Sequence, residues 1–94
     1  MDLNVKYANM KNAEEAYNEA LKEITPEYIS KWNLNADVTC DEAQKKMKAK
    51  GKGFELRLEF KEAECQVFLD LSFLLKPLKK TVLETIERKL TKHL

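Results

Sequence analysis

"DEAQKKMKAKGKG" occupies residues 41–53, and its reading decides the fold. Local signals favour a helix: Asp41 is a good cap, Gln44 sits at the third helical position, and Gly51 is a good terminator. Against them stands the apolar content, only Ala43, Met47 and Ala49, which makes a poor helix face. Read as a strand from about 45 to 51, Met47 and Ala49 point one way. Lys46, Lys48, Lys50 and Lys52 point the other way. The strand is the better account, with Asp41–Gln44 as the turn before it.

A strand here joins others on both sides. Phe54-Glu55-Leu56-Arg57-Leu58-Glu59-Phe60 alternates without a break. After the polar connection Lys61–Glu64, residues Cys65, Val67, Leu69 and Leu71 form the core face of a further strand. Gln66 and Asp70 mark its other face, where Phe68 is the odd apolar member. Upstream, Leu34, Ala36 and Val38 alternate over 34–40. Four successive strands with short turns make an antiparallel meander. A fifth, over 3–7, opens the chain.

The helices read as follows. Asn12 caps the first, with Glu15 completing a capping-box pattern. Ala13, Ala16, Tyr17, Ala20, Leu21 and Ile24 share one face. Thr25-Pro26 ends it and opens a short helix, about 26–32, bearing Tyr28, Ile29 and Trp32. Pro77 starts a long final helix whose stripe is Leu78, Val82, Leu83, Ile86, Leu90 and Leu94. The order β-α-α-β-β-β-β-α is α+β, one domain over 1–94, with the helices packed on one face of an antiparallel sheet. The opening strand is expected beside 65–71, because the lysine-rich and Asp-containing strands suit sheet edges.

Composition narrows the function. The 94 residues are 44% hydrophobic and 35% charged, with a formal net charge of +1. That is a globular chain with no global electrostatic commitment to nucleic acid, so none is expected as a partner. No apolar run is long enough to span a bilayer and none resembles a signal peptide, which suggests a cytoplasmic, reducing location. Cys40 and Cys65 lack metal-site spacing and read as free thiols. "GKG" at 51–53 is too short for a phosphate loop, and no cofactor is expected. His93, the single histidine, lies in a tail expected to fray. No nucleophile and base can be paired, so an enzyme is not expected. The lysine comb reads as a solvated face.

One stretch is greasier than a small core needs: "VFLDLSFLLKPLKK", residues 67–80. Phe73, Leu74 and Leu75 cannot all enter one core from a strand. A bend over 72–76 lets two pack and leaves one outside. The stretch is then either a packed corner or an apolar contact site ringed by Lys76, Lys79 and Lys80.

Residues 69–90, "LDLSFLLKPLKKTVLETIERKL", resemble a small bacterial family, the polyhydroxyalkanoate (polyester granule) system proteins. Leu71, Phe73, Leu74, Leu75, Pro77, Leu78 and Lys79 match that family's Leu-Gly-Phe-Leu-Leu-x-Pro-Leu-Lys pattern. Ser72 departs from it, standing where the family usually shows glycine. "GKGFELRLEF" at 51–60 is similar to its glycine-containing turn and strand, and Ala13–Ala16 to the start of its early helix. The order of elements also resembles a shortened helix-grip fold, in which a long C-terminal helix lies across an antiparallel sheet. With so few strands, any cavity there is expected to be small or absent.

The resemblance implies a small accessory protein acting through an apolar surface or a modest pocket. The contact residues would be Phe73, Leu74, Leu75, Lys76, Lys79 and Lys80, and the partner a polyester granule surface. The alternative is a carrier of an apolar small molecule, with a pocket lined by Trp32, Phe54, Leu56, Leu58, Val67, Leu69, Val82 and Ile86. A third reading is a homodimeric interaction module, motivated by Phe68.

Overall fold

A computed structural model describes residues 1–32 and 34–94. The chain runs β1 (Leu3–Lys6), α1 (Ala13–Glu23), α2 (Pro26–Ile29), a 3-10 turn at Ser30–Trp32, β2 (Asp37–Asp41), β3 (Lys46–Gly51), β4 (Phe54–Phe60), β5 (Glu64–Leu71), a 3-10 segment at Phe73–Leu78, and α3 (Lys79–His93). The strands form one antiparallel sheet in the order β1-β5-β4-β3-β2. The class is α+β, as the alternation of the sequence implies.

Residues 41–53 are turn and strand. Asp41 does cap, but it caps a turn: its carboxylate accepts the Gln44 N–H at 3.0 Å. Lys45 then takes φ 55°, which no helix tolerates. Its carbonyl accepts the Phe60 N–H at 2.9 Å, fixing the entry of β3 to the far end of β4. In β3, Met47 and Ala49 are buried opposite Leu58 and Leu56, while Lys46, Lys48 and Lys50 are exposed.

The lysine strand is not an edge, contrary to the sequence expectation. It lies between β4 and β2, and the Asp-containing β2 is the edge on that side. Acidic neighbours make this tolerable. Lys46 lies opposite Asp41 and Glu59, Lys50 opposite Asp37 and Glu55, and Lys48 Nζ is 3.7 Å from Glu55. The opening strand does pair beside β5, with Leu3 opposite Val67 and Val5 opposite Cys65. The strand expected over 34–40 starts only at Asp37. Its lead-in crosses the end of β3 so closely that a Cβ on Gly51 would overlap the Asn35 carbonyl oxygen.

The core lies between the sheet's inner face and the helices. In α1 the Asn12 side chain accepts the Glu15 N–H at 2.9 Å. The Glu15 carboxylate reaches back to the Lys11 N–H at 3.0 Å, one residue beyond the usual capping box. Ala13, Ala16 and Ala20 are small enough to seat this helix close, and Tyr17 meets Phe60 edge to face at 5.8 Å. In α3, Val82, Ile86 and Leu90 are buried at intervals of one turn. The α-helix starts at Lys79 rather than at Pro77. Proline has no N–H to give, so the regular ladder forms beyond it.

The chain's end is pinned rather than frayed, which corrects the sequence expectation. Leu94 is fully buried, and its main-chain oxygen accepts N–H groups from Ala8 (2.9 Å), Asn9 (2.6 Å) and Met10 (2.9 Å). His93 presents both ring nitrogens to α1, Nδ1 at 3.2 Å from Glu19 and Nε2 at 3.2 Å from Glu23.

Candidate functional site

The chain leaves β5 at Ser72 in an extended conformation, with its N–H donating to the Gly53 carbonyl at 2.8 Å. The Ser72 carbonyl then accepts two N–H groups, Leu75 at 2.9 Å and Lys76 at 3.0 Å. Folding two donors onto one acceptor turns the backbone within a few residues. Leu75 swings back and packs on the core. Phe73 and Leu74 point outward, 84% and 86% exposed. The expected bend is present, but its outcome is reversed: one of the three packs and two stay in water. The glycine requirement at this corner falls on Gly53, at φ 73°, and Ser72 needs none.

Of the three flanking lysines, Lys76 and Lys80 are exposed. Lys79 is held by Asp2, with its Nζ 2.9 Å from Oδ1, while Asp2 Oδ2 accepts the Leu69 N–H at 2.8 Å. The Leu69 N–H holds the Asp2 carboxyl below its usual range; burial opposes this, and Lys79 adds to it. This clasp ties the start of α3 to β5. A carboxyl depressed in the fold stabilises it above the unfolded value near 3.8, and that contribution fades as pH falls through the lower folded value. Asp2→Asn is therefore expected to cost about 1 kcal/mol at neutral pH and clearly less at a pH well below 3.8. Urea melts of both proteins at the two pH values test this; an equal gap at both would contradict the assignment.

The antiparallel registers bring further residues to the same end of the sheet. Asp2 lies beside Val67 and Leu69, so Met1 sits near the exit of β5. The Gly51–Gly53 turn touches Ser72, which places Lys52 there too. Among the described residues, the exposed large hydrophobics are Met1, Phe73 and Leu74, and all three belong to this end. Beside the tip runs a groove of about 460 Å³, floored by Leu3, Pro77 and Leu83 and rimmed by lysines and glutamates.

The residues read as a possible pocket lining mostly sit in the core. Phe54, Leu56, Leu58, Val67, Leu69, Val82 and Ile86 are each at most 3% exposed and belong to one packed cluster. Trp32 stands apart, half-buried on the 3-10 turn and edge to face with Tyr28 at 5.3 Å. The Tyr28 ring lies under Lys31 and Lys89, and its hydroxyl donates to the Thr85 carbonyl at 3.3 Å. On the bare sheet face, the Phe68 ring is covered by the Arg57 guanidinium at 4.7 Å. Cys65 is fully buried, and burial pushes its thiol up to about 12, so it offers no thiolate near neutrality.

Sequence reasoning missed one polar cluster. Glu19, Glu23 and His93 place their ligand atoms within 4.8 Å of one another, and Lys89 Nζ lies 3.0 Å from Glu23. The readable signal was paired spacing: Glu19/Glu23 and Lys89/His93 are each four apart on a helix, so each pair shares a face. The ammonium and both imidazole nitrogens already engage the carboxylates, which makes the cluster a polar seam joining α1 to α3.

A protein-family model described as "Putative polyhydroxyalkanoic acid system protein" matches residues 8–94. The match takes in everything after β1, including the 72–80 corner. Among curated proteins and solved structures, none matches the chain.

Proposed function

The chain belongs to the polyhydroxyalkanoic acid system protein family, and from that membership we propose that it is a non-enzymatic accessory protein that attaches to polyester granules in the cytoplasm through the Phe73–Leu74 tip. The observation that carries this is the exposure of two adjacent large apolar side chains, where among the described residues the other exposed large hydrophobic is Met1 at the same end of the sheet. Leu75, packed below, and the Asp2–Lys79 clasp hold the tip's mount, so little ordering is required on contact. The lysines keep the rim of the tip hydrated.

Burying a Phe and a Leu against an apolar phase gains about 1.5–3 kcal/mol each. That supports reversible attachment rather than permanent insertion. Phe73→Asp/Leu74→Asp is expected to lower co-sedimentation with washed polyester granules by at least about tenfold. Because both side chains are exposed, the melting temperature should move little. A double variant that pellets with granules as the parent does would remove the tip from the mechanism.

A further inference from the structure

The apolar tip alone gives marginal attachment, and its surroundings indicate what supplies the rest. Three exposed lysines from three parts of the fold flank it: Lys52 from the β3–β4 turn, Lys76 from the 3-10 corner and Lys80 from the first turn of α3. Residues 71–83 contain no acidic side chain. The acids nearest by register are Asp2, Asp70 and Glu55. Asp2 is occupied by Lys79 and the Leu69 N–H, Glu55 lies within 3.7 Å of Lys48, and Asp70 stands opposite Glu55 on the bare sheet face. Glu84 and Glu87 line the groove beside Lys76 and Lys80, but among the described residues neither forms an ion pair with them. A purely apolar polymer gives these lysines nothing to pair with. An apolar side-chain pair set among free ammonium groups is complementary to a surface with hydrocarbon below and negative headgroups above.

We propose that the surface this tip recognises is coated with anionic phospholipid, with Phe73, Leu74 and Met1 entering the acyl region and Lys52, Lys76 and Lys80 engaging headgroup phosphates. This rests on the attachment role assigned above and specifies its partner. Lys79 takes no part, because it is committed to Asp2 within the fold.

The test uses the full chain with three targets: vesicles of phosphatidylcholine, vesicles with about one-third phosphatidylglycerol, and lipid-free polyester particles. Each accessible lysine contributes about fivefold at low ionic strength, so the anionic vesicles should bind on the order of 100-fold more tightly than the neutral ones. That preference should collapse at about 0.5 M salt. Lys52→Gln/Lys76→Gln/Lys80→Gln should abolish it while leaving binding to lipid-free polyester unchanged. Equal binding to the two vesicles overturns the proposal, as does a triple variant that keeps the preference. The attachment role fails separately. If the protein binds anionic vesicles but neither washed granules nor lipid-free polyester, lipid recognition stands and the granule is the wrong address. If it binds polyester and ignores lipid charge, the granule role stands and the phospholipid is wrong.

Discussion

Deleting Leu94 should lower the melting temperature by more than about 15 °C. The leucine side chain is fully buried, and removing such a side chain costs about 2–4 kcal/mol. Deletion also takes away the oxygen that accepts three N–H groups from residues 8–10, each worth about 0.5–1.5 kcal/mol net. The sum, about 3.5–8.5 kcal/mol, is more than half of the roughly 5–14 kcal/mol available to a chain of this length. For a domain of this size each kcal/mol moves the midpoint by about 4–8 °C. Leu94→Ala keeps the main-chain oxygen and should lose only the packing part. Thermal melts of parent, Leu94→Ala and the deletion form a three-step ladder in that order. A deletion that melts within about 2 °C of the parent would show that the pinned end bears no weight.

Gly51→Ala should be nearly as damaging, although it adds a single methyl group. A Cβ at this position overlaps the Asn35 carbonyl oxygen and crowds the Asn35 carbonyl carbon, at 3.2 Å, with Ala36 Cα in ordinary contact at 3.6 Å. All three are backbone atoms, so no rotamer change relieves the clash. The lead-in to β2 must lift away, or the last pair of the β3–β4 ladder, Gly51 opposite Phe54, must open. Either costs about 2–4 kcal/mol. Amide exchange should then rise selectively in β2 and at the end of β3, with β5 unaffected. Protection in β2 equal to the parent's would mean that the crossing is looser than described.

The sheet was legible because its side chains alternate against one covered face. Residues 54–60 could be nothing else, and the pairing of residues 3–6 with β5 was reached by assigning the lysine-rich and Asp-containing strands to the edges, which holds for β2 but not for β3. The place of β3 was misjudged because lysine content was taken as a mark of an edge. On a sheet with one bare face, a lysine strand can stand inside if acids flank it, and pattern within one strand does not show what its neighbours carry. The corner at 73–75 was recognised as too apolar to be wholly buried. Which side chains stayed outside depended on two N–H groups sharing the Ser72 carbonyl, a backbone event with no residue signature. The polar anchoring of Leu94 and His93 was hard to read for a similar reason, beyond the i, i+4 spacing of the charged pairs. Their partners lie 70 or more residues away, and nothing local to this segment announces a distant acceptor or donor.

The two closures just described also set a timetable. β1 has no strand partner until residues 64–67 exist, and the N–H groups of residues 8–10 lack the Leu94 acceptor until that residue is made. Contacts of such long sequence separation must bear their loop-closure cost before they contribute anything, so they form late. On the ribosome the hairpins of β2–β5 can assemble while the opening strand waits unpaired. The contacts of residues 8–10 with Leu94 can form only once α3 has emerged. The apolar tip belongs to the segment that joins β5 to α3, and its Asp2–Lys79 clasp cannot close before the start of α3 is made, so the tip gains its full support late in synthesis.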